Sequence, residues 1–253
     1  MFKNIVPITK ENHGDMKIKE LTDFNFAKEL NVASIMVHEF SKAASTYPIV
    51  FIEDKEKDQF RAVVLLGLEA GENLFIKDGK WSASYVPAII RRYPFALAKT
   101  GDDGKFTICV DEDCNLLNKK EGEPIFDKES DSSKLIEKVK NYLGELQQME
   151  QFTDTFSKFL KENNMFTPLN MKVRFKDEIK SINGAYVVNE ERLSTLSDEK
   201  YLEFRKNQYI PAIYAHLGSL SQIERLLSFK DDNKTDDTNT SLENRFEKTI
   251  EEK

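Results

Sequence analysis

The chain has 253 residues, 37 Lys+Arg against 44 Asp+Glu, a formal net charge of −7 and 40% apolar residues, long enough for a substantial core. Its longest uninterrupted apolar run, seven residues over 62–68, falls far short of the ~20 that a membrane-spanning helix needs. The acidic balance argues against general nucleic-acid binding, which rests on phosphate neutralisation.

From the start of the chain, residues 1–8 hold one basic residue, and Pro7 interrupts a short apolar stretch. No secretory signal is read there. The expectation is a cytoplasmic protein, with surface association only by a signal-independent route. Apolar Val32, Ala33, Met36, Val37 and Phe40 predict a helix over 32–44. Ile49, Val50, Phe51 and Ile52 are β-branched or aromatic and predict a buried strand. A second strand is expected over 60–68, closed by Gly67 and Gly71. Asp78-Gly79 between 73–76 and 80–84 signals a hairpin. Pro87 can open a helix over 87–93, and residues 105–110 read as strand after Asp102-Asp103-Gly104.

The second half is mainly helical. Leu135, Val139, Tyr142, Leu146, Met149, Phe152, Phe156 and Phe159 recur in steps of three and four, the mark of a long amphipathic helix. Ser132 or Ser133 can cap it, and Asn163-Asn164 ends it ahead of Pro168. A strand pair is expected from 171–175 and 186–188 around Asn183-Gly184. Asn189 can cap a helix whose first turn holds Glu190 and Glu191. A last helix from Pro211 buries Ile213, Leu217, Leu220, Ile223 and Leu227. These elements predict an α+β fold. A mixed or antiparallel sheet from the N-terminal half packs against long helices of the C-terminal half, all in one domain over 1–229.

Residues 230–253 differ from the rest. They carry five positive and eight negative side chains, a net −3, which leaves −4 on the first 229 residues. The run to Asn239 is too polar to offset ordering entropy, so a disordered tail is expected. Leu242, Phe246 and Ile250 recur every four residues after a capping-box pattern at 240–243. They form the stripe of a short helix, a candidate partner-docking face.

Few chemistry-bearing motifs are present. His38-Glu39 lacks the second His of a zinc-protease helix, since position 42 is Lys. Residues 111–115 mimic a calcium loop, but Leu116 and Gly122 stand where that loop needs Gly and Glu. Phosphate-loop, nucleophile-elbow and dinucleotide motifs are missing, and Cys109 and Cys114 do not form a C-x-x-C. No catalytic residue, cofactor or metal is expected. The densest unusual stretch runs from 81 to 95, with Trp81, Tyr85, Arg91, Arg92 and Tyr93. Guanidinium groups beside rigid aromatic walls suit an anion or a peptide terminus. His216 is added as a possible acid or base. The competing reading makes Trp81, Tyr85 and Phe95 core, Arg91 and Arg92 structural ion pairs, and His216 a structural histidine.

Tyr47-Pro48-Ile49-Val50-Phe51, Leu66-Gly67-Leu68, Asn73-Leu74-Phe75, Gly79-Lys80-Trp81, Tyr85-Val86-Pro87-Ala88 and Arg91-Arg92-Tyr93-Pro94-Phe95 occur in that order. With Ile213-Tyr214-Ala215-His216-Leu217, they resemble the SapC family of bacterial surface-layer-associated proteins over residues 1 to 229. The resemblance implies association with a paracrystalline surface layer and brings no reaction, cofactor or catalytic residue with it. The peptide-transport permease of the same name is unrelated. The expected function is a non-enzymatic accessory role in surface-layer or envelope biogenesis, with a surface-layer protein or envelope factor as partner. Nucleic-acid binding and membrane insertion are not expected. The alternative is a small-molecule or peptide-binding module, or an enzyme, using the 81–93 segment.

Overall fold

The computed structural model describes residues 1–100, 105–127, 133–175, 178–182 and 184–230. The Asp102–Gly104 turn, Ser132, Asn183 and the Leu242, Phe246 and Ile250 stripe lie outside the described residues.

The largest sheet among the described residues has five strands. Their order is Phe166–Pro168, Ala185–Val188, Ile49–Asp54, Gln59–Leu65 and Val32–Ser34, and every pair is antiparallel. Ile49, Val50 and Phe51 in the central strand are fully buried, as their β-branched and aromatic character demands. A three-stranded antiparallel sheet follows the order Ile5–Pro7, Lys105–Asp111, Phe95–Thr100. Its last strand was not foreseen. Smaller ribbons include Ile76–Lys77 with Lys80–Trp81. There Asp78 and Gly79 both take left-handed φ values, 51° and 73°, as a two-residue hairpin turn requires.

The α+β class and the sheet-on-helix packing are as the sequence predicts, but three local expectations change. The 32–44 segment is not one helix. Val32–Ser34 pairs with the edge of the five-stranded sheet, and only Val37–Glu39 and Phe40–Ala43 form short helical turns. A β-branched residue beside a free sheet edge outweighs a helical spacing this short. The expected pairing of 171–175 with 186–188 is also replaced. Met171–Phe175 pairs with Glu178–Ile182, and Ala185–Val188 joins the large sheet beside Ile49–Asp54. The last helix is two helices, Ile210–Ser219 and residues 222–230, separated by a turn at 220–221. Lys230 lies in the second of these helices. Its side chain is 4% exposed, and its Nζ lies 3.0 Å from Glu69 and 2.9 Å from Glu72.

The long helix, Lys134–Glu162, joins two hydrophobic cores. Ser133 caps it, its hydroxyl accepting from the Ile136 N–H. Toward its C-terminus Phe156 and Leu160 enter the main core, with Phe40, Phe51 and Tyr209. Toward its N-terminus Leu143 and Leu146 enter a smaller core with Tyr93, Val110, Leu116 and Ile125. Between the two, the Thr153 hydroxyl donates to the Met149 carbonyl (2.8 Å) and accepts from the Val37 N–H (3.0 Å). This polar tie fixes the helix against the 37–39 turn.

Candidate functional site

The 81–95 segment is positioned by a buried carboxylate. Glu39 is 5% exposed. It accepts from the Met36 N–H (3.1 Å), the Ala88 N–H (2.8 Å) and the Tyr85 hydroxyl. An ionised carboxylate holding several donors is a strong local anchor. The Trp81 Nε1–H donates to the Tyr47 hydroxyl (2.8 Å), which donates to the Tyr85 carbonyl. Burial pushes the Tyr47 and Tyr85 hydroxyls well above the usual tyrosine range, so both stay protonated donors. The Tyr142 hydroxyl donates to the Ala88 carbonyl (3.1 Å), tying the long helix to the single-turn helix Ala88–Arg91.

That turn delivers two guanidinium groups. The Arg91 Nε donates to the Val86 carbonyl (3.0 Å), and its guanidinium lies 5.8 Å from the Tyr85 ring centre and 6.0 Å from that of Tyr142. Cation–π contacts of this kind restrict the side chain without cancelling its charge. Arg92 lies over Phe2 at 5.5 Å, and its enclosed Nε has no hydrogen-bond partner. Burial lowers its pKa, against the opposing pull of Glu150. Neither guanidinium forms an ion pair among the described residues.

Arg91, Arg92 and Tyr93 line a groove of about 300 Å³ with Lys19, Lys138 and Tyr142. No carboxylate is among its lining residues. Lys19 is held at 2.9 Å by exposed Glu121. The groove can hold an anion by charge-assisted hydrogen bonds, and its lining offers no His or Cys for proton transfer or nucleophilic attack. The structure thus brings together three of the residues singled out from sequence. Trp81 and Tyr85 do not line the groove. Trp81 packs between Phe24 and Phe75, and Tyr85 supports Arg91 from behind. Sequence reading missed Lys138 and Tyr142. They sit four apart on one helix face, but nothing in their spacing says that this face meets Arg91.

His216 stands elsewhere, fully buried. Its Nδ1–H donates to the Ile49 carbonyl (2.8 Å), and its Nε2 accepts from the Val188 N–H (3.0 Å). A carbonyl only accepts and an N–H only donates, so these partners fix the neutral Nδ1–H tautomer. The pairing Ala185↔Ile52 and Tyr186↔Phe51, continued along both strands, would set Val188 opposite Ile49. There the strands part, and the imidazole bridges the gap. The Ser219 hydroxyl completes the joint by accepting from the Ile49 N–H (2.9 Å). Burial lowers the His216 pKa to about 4. With both nitrogens occupied, it is a clamp between helix and sheet.

The calcium-like stretch has a structural use as well. The buried Asp111 carboxylate accepts from the Lys3 N–H (3.0 Å), the Asn4 N–H (2.9 Å) and the Tyr93 hydroxyl (3.4 Å). Cys109 and Cys114 are buried free thiols whose pKa values burial raises, which lowers their reactivity. No helix among the described residues is long and apolar enough to cross a membrane.

A protein-family model described as SapC matches residues 8–226. No curated protein and no solved structure matches the chain.

Proposed function

The chain belongs to the SapC family, and from that premise we propose a non-enzymatic binding protein of surface-layer or cell-envelope assembly that docks a carboxylate-rich polypeptide. Family membership supports the surface-layer setting. The groove of Arg91, Arg92 and Lys138 carries the binding chemistry. Cations from separate elements converge on one concavity without a lining carboxylate. Convergent positive charge on a stable fold favours an acidic partner and rapid, salt-dependent association. The held geometry of Arg91 suits bidentate recognition of carboxylate.

Fluorescence anisotropy with a labelled Asp/Glu-rich peptide tests the reading on the full chain. Binding is expected to weaken with salt. Arg91→Gln and Lys138→Gln should each lower affinity about tenfold, the loss of one charge-assisted contact. Parental affinity in both variants overturns the groove assignment, and preference for inorganic phosphate over the peptide redirects it to a phosphorylated ligand. Pull-down from envelope extracts, with and without residues 231–253, tests the proposed contribution of Leu242, Phe246 and Ile250. Unchanged recovery removes them from it. Cell fractionation tests the proposed cytoplasmic location, and recovery only with the envelope would exclude it.

A further inference from the structure

Arg92 also borders a second, smaller cavity of about 160 Å³, where the two sheets approach one another under the long helix. The large sheet contributes Ala62 and Arg61, and the small sheet contributes Leu97 and Phe106. One face of the long helix completes it, and the polarity of that face changes along its length. Leu143 and Leu146 are apolar, whereas Glu150 and Asp154 are acidic. Steps of three and four keep all of them on one stripe.

The charges around this cavity are complementary but unjoined. Arg61 is committed to Asp54. Arg92, Glu150 and Asp154 form no ion pair among the described residues, although Glu150 is near enough to act on the Arg92 charge. The carboxyl of Asp154 is pushed up by burial, with Arg61 and Lys57 opposing. An enclosed donor with no partner, such as the Arg92 Nε, is costly unless something completes it.

We propose that this cavity binds a free apolar α-amino acid, with its carboxylate on Arg92, its ammonium on Glu150 and Asp154, and its side chain against Leu143 and Leu146. Size supports the assignment. Drug-sized ligands occupy roughly 300–1,000 Å³, and a water's share of liquid is about 30 Å³. A cavity of about 160 Å³ is therefore well below drug size and matches one small or medium-sized amino acid. A simple anion would engage only Arg92, and a simple amine only the two carboxylates. A zwitterion satisfies both ends at once. The two sites share Arg92, but Glu150 and Asp154 line only this cavity, so leucine binding here does not rest on the acidic-peptide reading.

Isothermal titration calorimetry of the full chain with L-leucine tests it. Saturable binding is expected. 4-Methylpentanoate, which lacks the amine, and 3-methylbutylamine, which lacks the carboxylate, should each bind at least about tenfold more weakly. Glu150→Gln combined with Asp154→Asn should cause a loss of similar size. Both replaced side chains are exposed, so the fold should tolerate the change, and circular dichroism checks that it does. The proposal is overturned if leucine, methionine and valine all fail to bind up to about 10 mM, the weak end of useful affinity. It is equally overturned if the double variant binds leucine as the parent does.

Discussion

The two cores joined by the long helix treat polar groups differently. In the main core the buried His216 and Ser219 side chains are satisfied by the protein itself. His216 uses both nitrogens, and Ser219 joins the same strand. Around the smaller core, Arg91, Arg92 and Lys138 line a groove whose lining includes no carboxylate. Internal satisfaction stabilises a fold, whereas unmatched charge beside a concavity is available to a ligand. The main core carries the architecture and the smaller core carries the candidate site.

The harshest test of that division is a pair of truncations. Phe156 is fully buried among Phe40, Phe51 and Tyr209. Phe156→Ala should cost about 3–5 kcal/mol, read as a lower denaturation midpoint and faster amide exchange in both sheets. Leu143→Ala in the smaller core should cost about 2–4 kcal/mol, with faster exchange concentrated in the three-stranded sheet. Identical exchange patterns in the two variants would merge the cores into one cooperative unit.

His216 supplies a test by pH. Its folded pKa is about 4, against 6.5 in an unfolded chain. Between those values the unfolded state binds more protons, so stability rises with pH. The contribution is complete above about pH 6.5 and lost as pH falls toward 4, roughly 3 kcal/mol in all. His216→Gln should flatten that part of a urea-denaturation profile while lowering stability at neutral pH. An unchanged slope would assign the acid sensitivity to other groups.

Glu39→Gln probes the link between the regions, because this carboxylate anchors the turn that carries Arg91. Losing the charge from a buried acceptor of three donors should cost about 1.5–3 kcal/mol. It should also weaken acidic-peptide binding without touching the groove. Full affinity in a destabilised variant would mean that the Arg91 turn holds its own shape. The smallest expected effect on stability is that of Arg91→Gln. The side chain is exposed, so the change should lie within about 0.5 kcal/mol while peptide affinity drops. A large fall in melting temperature would show that Arg91 serves the fold instead.

Much of this could be read from the sequence where a signal is local. The 29-residue helix and its Ser133 cap follow from apolar spacing and an N-cap residue. The Asp78-Gly79 turn and the Asn189 cap are equally local. Arg91, Arg92 and Tyr93 were legible as a candidate site because they are neighbours in the chain. Lys138 was not, since it reads as one more charge on a solvated helix face. His216 carried a plausible acid–base role until its two backbone partners, 167 and 28 residues away, accounted for both nitrogens.

By itself, then, the sequence determined the α+β class, the long amphipathic helix, the tight turns, the arginine-bearing segment and the resemblance that the family match bears out. Each is encoded in the spacing or type of residues close together in the chain. Tertiary structure alone decided that Val32–Ser34 is an edge strand and that Ala185–Val188 crosses into the large sheet. It also decided that Lys230 is a buried ionic partner and that Lys138 and Tyr142 face Arg91. The physical reason is common to all four. Strand pairing, burial of a charge and convergence on a groove depend on which distant surfaces meet, and local periodicity does not specify that meeting.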